Sequence, residues 1–294
     1  MHLFHEGKRF FKGNLHCHTT RSDGQLSPEE VIALYRGKGY DFLALTDHRM
    51  LSEPTHVEDD MLLFSGIETD YSLPGEVLHL VGIGMDPSYH LPESSAGHDP
   101  QSGIRQIRNH NGRAIVAHPA WSLNTHTTLS ALRDVTAAEI YNSVSTYPWN
   151  GDRADASVLL DISAAHGSPY RFVASDDSHG YKGEEGRSFT VIQADELSRE
   201  SFWEALDAGR FFASQGPLFE QISVENGLLT IRCSPVENVI FYSNNVWAYG
   251  RCVNRTGQTE ATYDLTANTD ETFVRCQIVD AQGRSAWANP ILPT

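Results

Sequence analysis

Through the first two-thirds of the chain, short β-rich runs end one after another in histidine or a carboxylate, and this recurrence limits the fold more than any other feature. Gly13-Asn-Leu-His16-Cys-His18 closes the first run, Leu45-Thr-Asp47-His48 the second and Gly66-Ile-Glu68 the third. His79 lies in the fourth, Ala117-His118-Pro119 ends the fifth, and a late run ends Ala174-Ser-Asp176-Asp177-Ser-His179. Such polar groups gathered at strand ends would form an expensive buried cluster unless something joined them. Residues two apart on a strand share a face, so the imidazoles of His16 and His18 can reach one ion. Imidazole mixed with carboxylate suits divalent Zn, Mn or Fe. Asp23 follows in Thr19-Thr-Arg-Ser-Asp23-Gly24, where the glycine permits a tight turn.

The strand-like runs are 13–18, 41–46, 62–66, 77–83, 113–117, 138–141, 171–174 and 188–193. Amphipathic segments lie between several of them. Ser27 suits the N-cap of a helix over 27–39, with Pro28 at its first position, Glu30 completing a capping box, and Gly37 and Gly39 ending it. Further helical stretches are 101–111, 152–165 and 198–208. The alternation predicts an α/β fold with a mainly parallel sheet or barrel. In α/β barrels, functional residues gather at the C-terminal strand ends.

The pattern changes near Gly216-Pro217. Beyond it come strands without helices, at 221–225, 228–233, 238–243, 261–265, 273–280 and 285–288, with Asn226-Gly227 as a hairpin signal. We read two units, 1–216 and 217–294, the second a small β-sandwich.

Composition removes other classes. The 294 residues are 40% apolar and 20% charged, which excludes disorder and coiled coil. Twenty-two basic against 38 acidic residues give −16, which argues against a nucleic-acid polymer or an anionic membrane as partner. Cys17, Cys233, Cys252 and Cys276 show no paired spacing, and strand alternation turns Cys17 away from His16 and His18 into packing. No apolar run spans a bilayer, and the polar start holds no signal core, so a soluble, cytoplasmic protein is expected.

The runs Leu15-His-Cys-His-Thr-Thr-Arg-Ser-Asp-Gly24 and Leu43-Ala-Leu-Thr-Asp-His48 closely resemble the PHP (polymerase and histidinol phosphatase) domain, over about residues 10–215. The tail, through Ala286-Trp-Ala-Asn-Pro-Ile291, resembles the carbaryl-hydrolase-like branch of that superfamily. The resemblance implies a distorted (β/α)7 TIM-like barrel holding two or three divalent ions. It assigns His16, His18, Glu68 and Asp177 to one ion. Glu68 would bridge to a second, bound by His79 and His118, and Asp23, His48 and His179 would hold a third. Asp176 and Asp177 can exchange roles; the Asp-x-His spacing favours Asp177. Asp47 and Asp176 then become candidates for orienting ligand imidazoles.

The implied chemistry is hydrolysis of a small-molecule phosphomonoester, a nucleotide or sugar phosphate, by a hydroxide bridging two ions. Glu68, Asp177 and His179 would form its catalytic core. Three divalent ions against Asp23, Glu68 and Asp177 leave a local charge of about +3, which attracts a phosphate dianion. Arg21, Arg49 and Arg187 are candidates for a phosphate clamp, and each also reads as a solvated rim charge. Glu139 and Asn142 either line the pocket or pack. His56, His90, His98 and His126 fall in loops, where a surface role is the default, and 86–100 is long enough for a substrate lid. The same ions could attack a carbonyl, so a carboxylic ester, amide or carbamate hydrolase is the second reading. A binding module without catalysis is the third.

Overall fold

The computed structural model describes residues 2–4, 7–54, 60–91 and 99–293. Strand Arg9–Asn14 pairs in parallel with Phe42–Ala44, and that strand with Leu62–Phe64. Between the first two lies the helix Pro28–Gly37, which buries Val31, Ile32 and Tyr35. Its capping box is complete. Ser27 Oγ accepts from the Glu30 N–H at 3.2 Å, and Glu30 Oε2 accepts from the Ser27 N–H at 2.8 Å. Lys38 caps the far end and Gly39 turns left-handed at φ 72°.

The sheet is mixed, which corrects the expectation of mainly parallel pairing. Gly66–Leu73, not expected as a strand, doubles back directly on Glu76–Ile83 with Gly75 at φ 83°. Parallel pairing needs a crossover connection, and two residues between strands leave room only for a hairpin. Arg113–Ala117 continues the antiparallel run, whereas Ala137–Asn142 and Phe172–Ser175 add in parallel.

The hydrogen-bonded ladders form one sheet of eleven strands and one of five among the described residues, rather than a single closed ring. The described residues hold five α-helices. The two sheets meet through isolated contacts. His48 bridges to Glu68 and Cys17 to Ser178, while Thr190 Oγ1 accepts from the Ala174 N–H and donates to its carbonyl.

The segment after Gly216 continues the larger sheet. Phe189–Ala194 pairs with Phe211–Ser214, that strand with Ser285–Ala288, and Ser285–Ala288 with Val274–Val279. Leu228–Ser243, Phe219–Glu225 and His2–Phe4 complete the row, and Cys252–Asp264 pairs off the side. The two expected strands at 228–233 and 238–243 are one strand, kept whole by an irregularity between Arg232 and Val236 that lets the chain bend without ending. Asn226 and Gly227 both take positive φ, 50° and 80°, as a two-residue hairpin demands.

Side chains fasten this segment to the rest. Buried Arg275 makes a two-pronged pair with Asp161 at 2.5 and 2.7 Å, its guanidinium lying over the Tyr242 ring. Buried Trp287 stacks on Tyr141, with centroids 5.7 Å apart. No described helix is long and apolar enough to cross a membrane.

Candidate metal centre

His16 and His18 lie beyond the end of their strand, yet both point to one place. The segment carrying them runs beside 176–178: the His18 N–H donates to Ser178 O at 3.0 Å, and the Asp177 N–H donates to His16 O at 2.9 Å. Extended backbone there preserves the shared face, and the two Nε2 atoms stand 3.3 Å apart. Cys17, between them, turns its Sγ to the Ala44 carbonyl in the packed interior.

All nine residues expected as ligands come together, in three overlapping groups whose candidate ligand atoms lie within 4.8 Å of one another. The first joins His16, His18, Glu68 and Asp177, all buried; the second joins Glu68, His79 and His118. Asp23, His48 and His179 form the third, with His18 also in reach. His18 Nε2 is 3.0 Å from Asp177 Oδ1, and its Nδ1 is 3.6 Å from Asp23 Oδ1. A neutral imidazole has one lone pair to give, so His18 serves one group at a time. Glu68 is the shared member: Oε1 lies 2.8 Å from His79 Nδ1 and 3.0 Å from His118 Nε2, while Oε2 lies 3.3 Å from Nε2 of both His16 and His18.

The backbone is bent hard to achieve this. Asp177 sits at φ 54° and His118 at φ 27°, conformations that cost a side-chain-bearing residue on the order of 1–3 kcal/mol each. Gly24 lets the chain turn back against its own backbone toward Asp23; a Cβ there would stand 2.4 Å from the His18 carbonyl oxygen.

Neither Asp47 nor Asp176 hydrogen-bonds a ligand imidazole directly. Asp47 accepts from the Thr19 N–H at 2.7 Å and from the hydroxyls of Thr19, Ser22 and Ser52. Asp176 accepts from Tyr35 and Ser143 hydroxyls and from the N–H groups of Gly186, Arg187 and Ser188. Both carboxylates clamp the loops that carry ligands, because their short side chains meet backbone N–H groups before any imidazole comes within reach. Burial pushes Asp176 up to about 6.

Glu139 takes the imidazole-orienting part. Its Oε1 accepts from His16 Nδ1 at 2.9 Å, and its Oε2 accepts from the His118 N–H and the Asn142 amide, each at 2.8 Å. With Nδ1 donating, His16 presents the Nε2 lone pair to the cluster. Asn142 also donates to Asp177 Oδ2 at 3.2 Å. The signal in the sequence was the polar ending of Glu-Ile-Tyr-Asn on an otherwise apolar strand.

Burial alone would depress the imidazoles of His16, His18 and His118, but the carboxylates of Asp177 and Glu68 outweigh it. His16 is raised well above the ordinary range, His18 to about 9, and His118 in the same direction. His48, where burial prevails, is lowered. Burial would also raise Glu68 and Asp177, yet the surrounding histidines hold both below the usual carboxylate range. The buried Asp177 Oδ1 accepts no hydrogen bond although two ring nitrogens are within 3.2 Å. Without metal these imidazoles and carboxylates share protons; divalent cations would displace those protons, and the mixed set suits Zn, Mn or Fe.

The cluster opens into a cleft of about 330 Å³ lined by His48, Glu68, His79, His118, Asp177 and His179 together with Trp121, Val144, Ser145 and Asn150. None of the arginine candidates lines it. Arg49 is held by Asp70 at 2.7 Å on both prongs, Arg21 donates to the Glu53 carbonyl, and Arg187 lies over the Trp149 ring. Trp121 was missed because one aromatic after His-Pro carries no pattern. His126 opens a short helix, His126–Ala131, rather than lying in a loop. His90 is exposed, whereas His56, His98 and residues 92–98 of the 86–100 loop lie outside the described residues.

No family model matches the chain. A two-domain protein from Bacteroides vulgatus, containing a predicted PHP-like metal-dependent phosphoesterase, superposes over 98% of this chain and 96% of its own, with a TM-score of 0.56 and 17% identity. The chain has that PHP-like fold. Two curated relatives align over shorter stretches. A 5'-3' exoribonuclease from Haemophilus influenzae is 33% identical over 102 residues, which is 33% of this chain and 36% of the relative. A 3',5'-nucleoside bisphosphate phosphatase from Chromobacterium violaceum is 35% identical over 109 residues, 35% of this chain and 36% of its own length. The PHP resemblance read in the motifs thus extends to the fold. The matched stretches span about a third of either relative.

Proposed function

We propose that the chain is a metal-dependent phosphoesterase that hydrolyses a small-molecule phosphomonoester. The observation that carries this is the convergence of nine imidazole and carboxylate groups in one cluster that opens into the cleft, with Asp177 Oδ1 buried against Nε2 of His16 and His18. His16, His18, Glu68 and Asp177 would hold one ion, Glu68, His79 and His118 a second, and Asp23, His48 and His179 a third, giving two or three in all. Bound there, divalent ions polarise phosphoryl oxygens and make water acidic enough to attack at neutral pH.

The chain's own residues do the rest. Glu139 fixes the tautomer of His16, and Asn142 fixes the angle of Asp177. His179 donates Nδ1–H to the Asp177 carbonyl, so its Nε2 faces Asp23 and the cleft. That leaves the Nε2 lone pair as the atom His179 would offer to the third ion. The PHP-like fold and the phosphatase relative support this reading. In the same proposal, 1–216 is the hydrolase unit, 217–294 supports it, and free cysteines accord with work in the cytoplasm.

Metal analysis of protein reconstituted with Mn or Zn, followed by product release from phosphomonoesters, phosphodiesters and carboxylic esters, tests the reading. At least two equivalents of metal and highest kcat/KM on monoesters are expected. One equivalent or less, or strong ester or carbamate turnover beside negligible phosphate release, overturns it.

A further inference from the structure

The non-ligand wall of the cleft carries a statement about substrate that the ligand cluster does not. It consists of an indole, an aliphatic side chain, a hydroxyl and an amide, from Trp121, Val144, Ser145 and Asn150. No lysine or arginine lines the cleft, and the segments outside the description, 55–59 and 92–98, contain neither residue. The three arginines that were candidates for a phosphate clamp are engaged elsewhere, Arg49 with Asp70, Arg21 with Glu53 and Arg187 with Trp149 and the Gly183 carbonyl.

Resting on the phosphoesterase reading, we propose that the leaving group is uncharged and ring-bearing, seated against Trp121, and that the substrate carries a single phosphate. A second phosphate would lie against the lining residues that are not ligands, none of them basic, and burying an unpaired charge is costly. The half-buried Trp121 ring packs edge-on to His118 and His79, with interplanar angles of 80°. That places an apolar surface beside the ligand histidines, where a planar group gains from stacking. The Ser145 hydroxyl is committed to Asn142 Oδ1 at 2.8 Å, which leaves the Asn150 amide as the neutral polar group on this wall that can meet a ring substituent.

The test uses the full chain loaded with Mn and compares phenyl phosphate, a nucleoside 5'-monophosphate, glycerol phosphate and a nucleoside 3',5'-bisphosphate. Calorimetric binding and kcat/KM are both read. Ring-bearing monoesters should bind about tenfold or more tightly than glycerol phosphate, the size of one aromatic stack. Trp121→Ala should erase that ratio while leaving glycerol phosphate within about twofold, and Trp121→Phe should restore most of it. Equal binding of ring-bearing and glycerol esters, an equal loss on all of them in Trp121→Ala, or a tenfold preference for the bisphosphate overturns the proposal. If binding follows the expected order but no ester is hydrolysed, the phosphoesterase reading fails and the ring preference stands.

Discussion

The ligand end of the molecule and the strands after Gly216 obey different rules. In the later segment local pattern decides structure: Ser285–Ala288 is the strand its alternation describes, and Asn226-Gly227 turns the chain with both residues at positive φ. At the ligand end, polar side chains are buried, Asp177 and His118 take left-handed backbone, and His16 and His18 lie outside any ladder. One region is arranged by neighbours in sequence. The other is held by residues that meet only in the fold, as Glu139 meets His16 across 123 positions. Stability and chemistry are therefore expected to part company between them.

His16→Ala should separate them most. Activity should fall to background and metal content by about one equivalent; unchanged metal content would remove His16 from the ligand set. Arg275→Ala should do the reverse, costing about 3 kcal/mol in urea unfolding by stranding Asp161, with metal stoichiometry intact. A lost ion in folded Arg275→Ala protein would show that the two regions are one system.

Glu139→Gln should keep the fold and weaken metal affinity or kcat by about 10–100-fold, since the amide cannot accept as strongly from His16. Metal titration beside circular dichroism checks this, and an effect under twofold would break the positioning argument.

The pH trend sharpens the same contrast. His16, His18 and His118 have folded pKa values above the unfolded value, so without metal their stabilisation is full below about 6.5 and fades as pH rises toward 9. Metals need those imidazoles deprotonated, so the rise in Tm on adding Mn should grow from pH 6 to pH 9. A rise that shrinks with pH would contradict cation binding by these groups. Smallest of all, Gly227→Ala should cost about 1 kcal/mol, because the position is left-handed and the new Cβ would meet Thr266 at 2.4 Å; activity per folded molecule should not change.

How legible each part was in the sequence follows from the same division. The capping box of Ser27 and Glu30, the Asn226-Gly227 turn and the fold-level PHP resemblance could be read because each rests on short motifs. The residues that gather at the cleft could be named because chemistry-bearing types recur at strand ends. The direction of Gly66–Leu73 could not be read, since an apolar run looks alike in either orientation and only the short turn before Glu76 decides it. The roles of Asp47, Asp176 and Glu139 depend on which partner lies within about 3 Å, and no spacing in one chain specifies that. A break near Gly216 was visible as a change of pattern, but the continuity of the sheet across it was not, because partner strands carry no marker of their mates.

That continuity sets a timetable for the nascent chain. His2–Phe4 pairs with Phe219–Glu225, and Arg9–Asn14 with Phe189–Ala194. At about 5–20 residues per second, the ribosome needs on the order of 10–40 s between making the first partner and the second. During that interval the strand Arg9–Asn14, which leads into His16 and His18, has an open edge, and its apolar Phe10 and Phe11 lack their later strand partners. Long-range pairing of this kind closes late and slowly. His16 and His18 are thus among the last residues to be locked in place, and a synthesis that stalls before residue 189 leaves a sticky β-edge rather than a half-built ligand cluster.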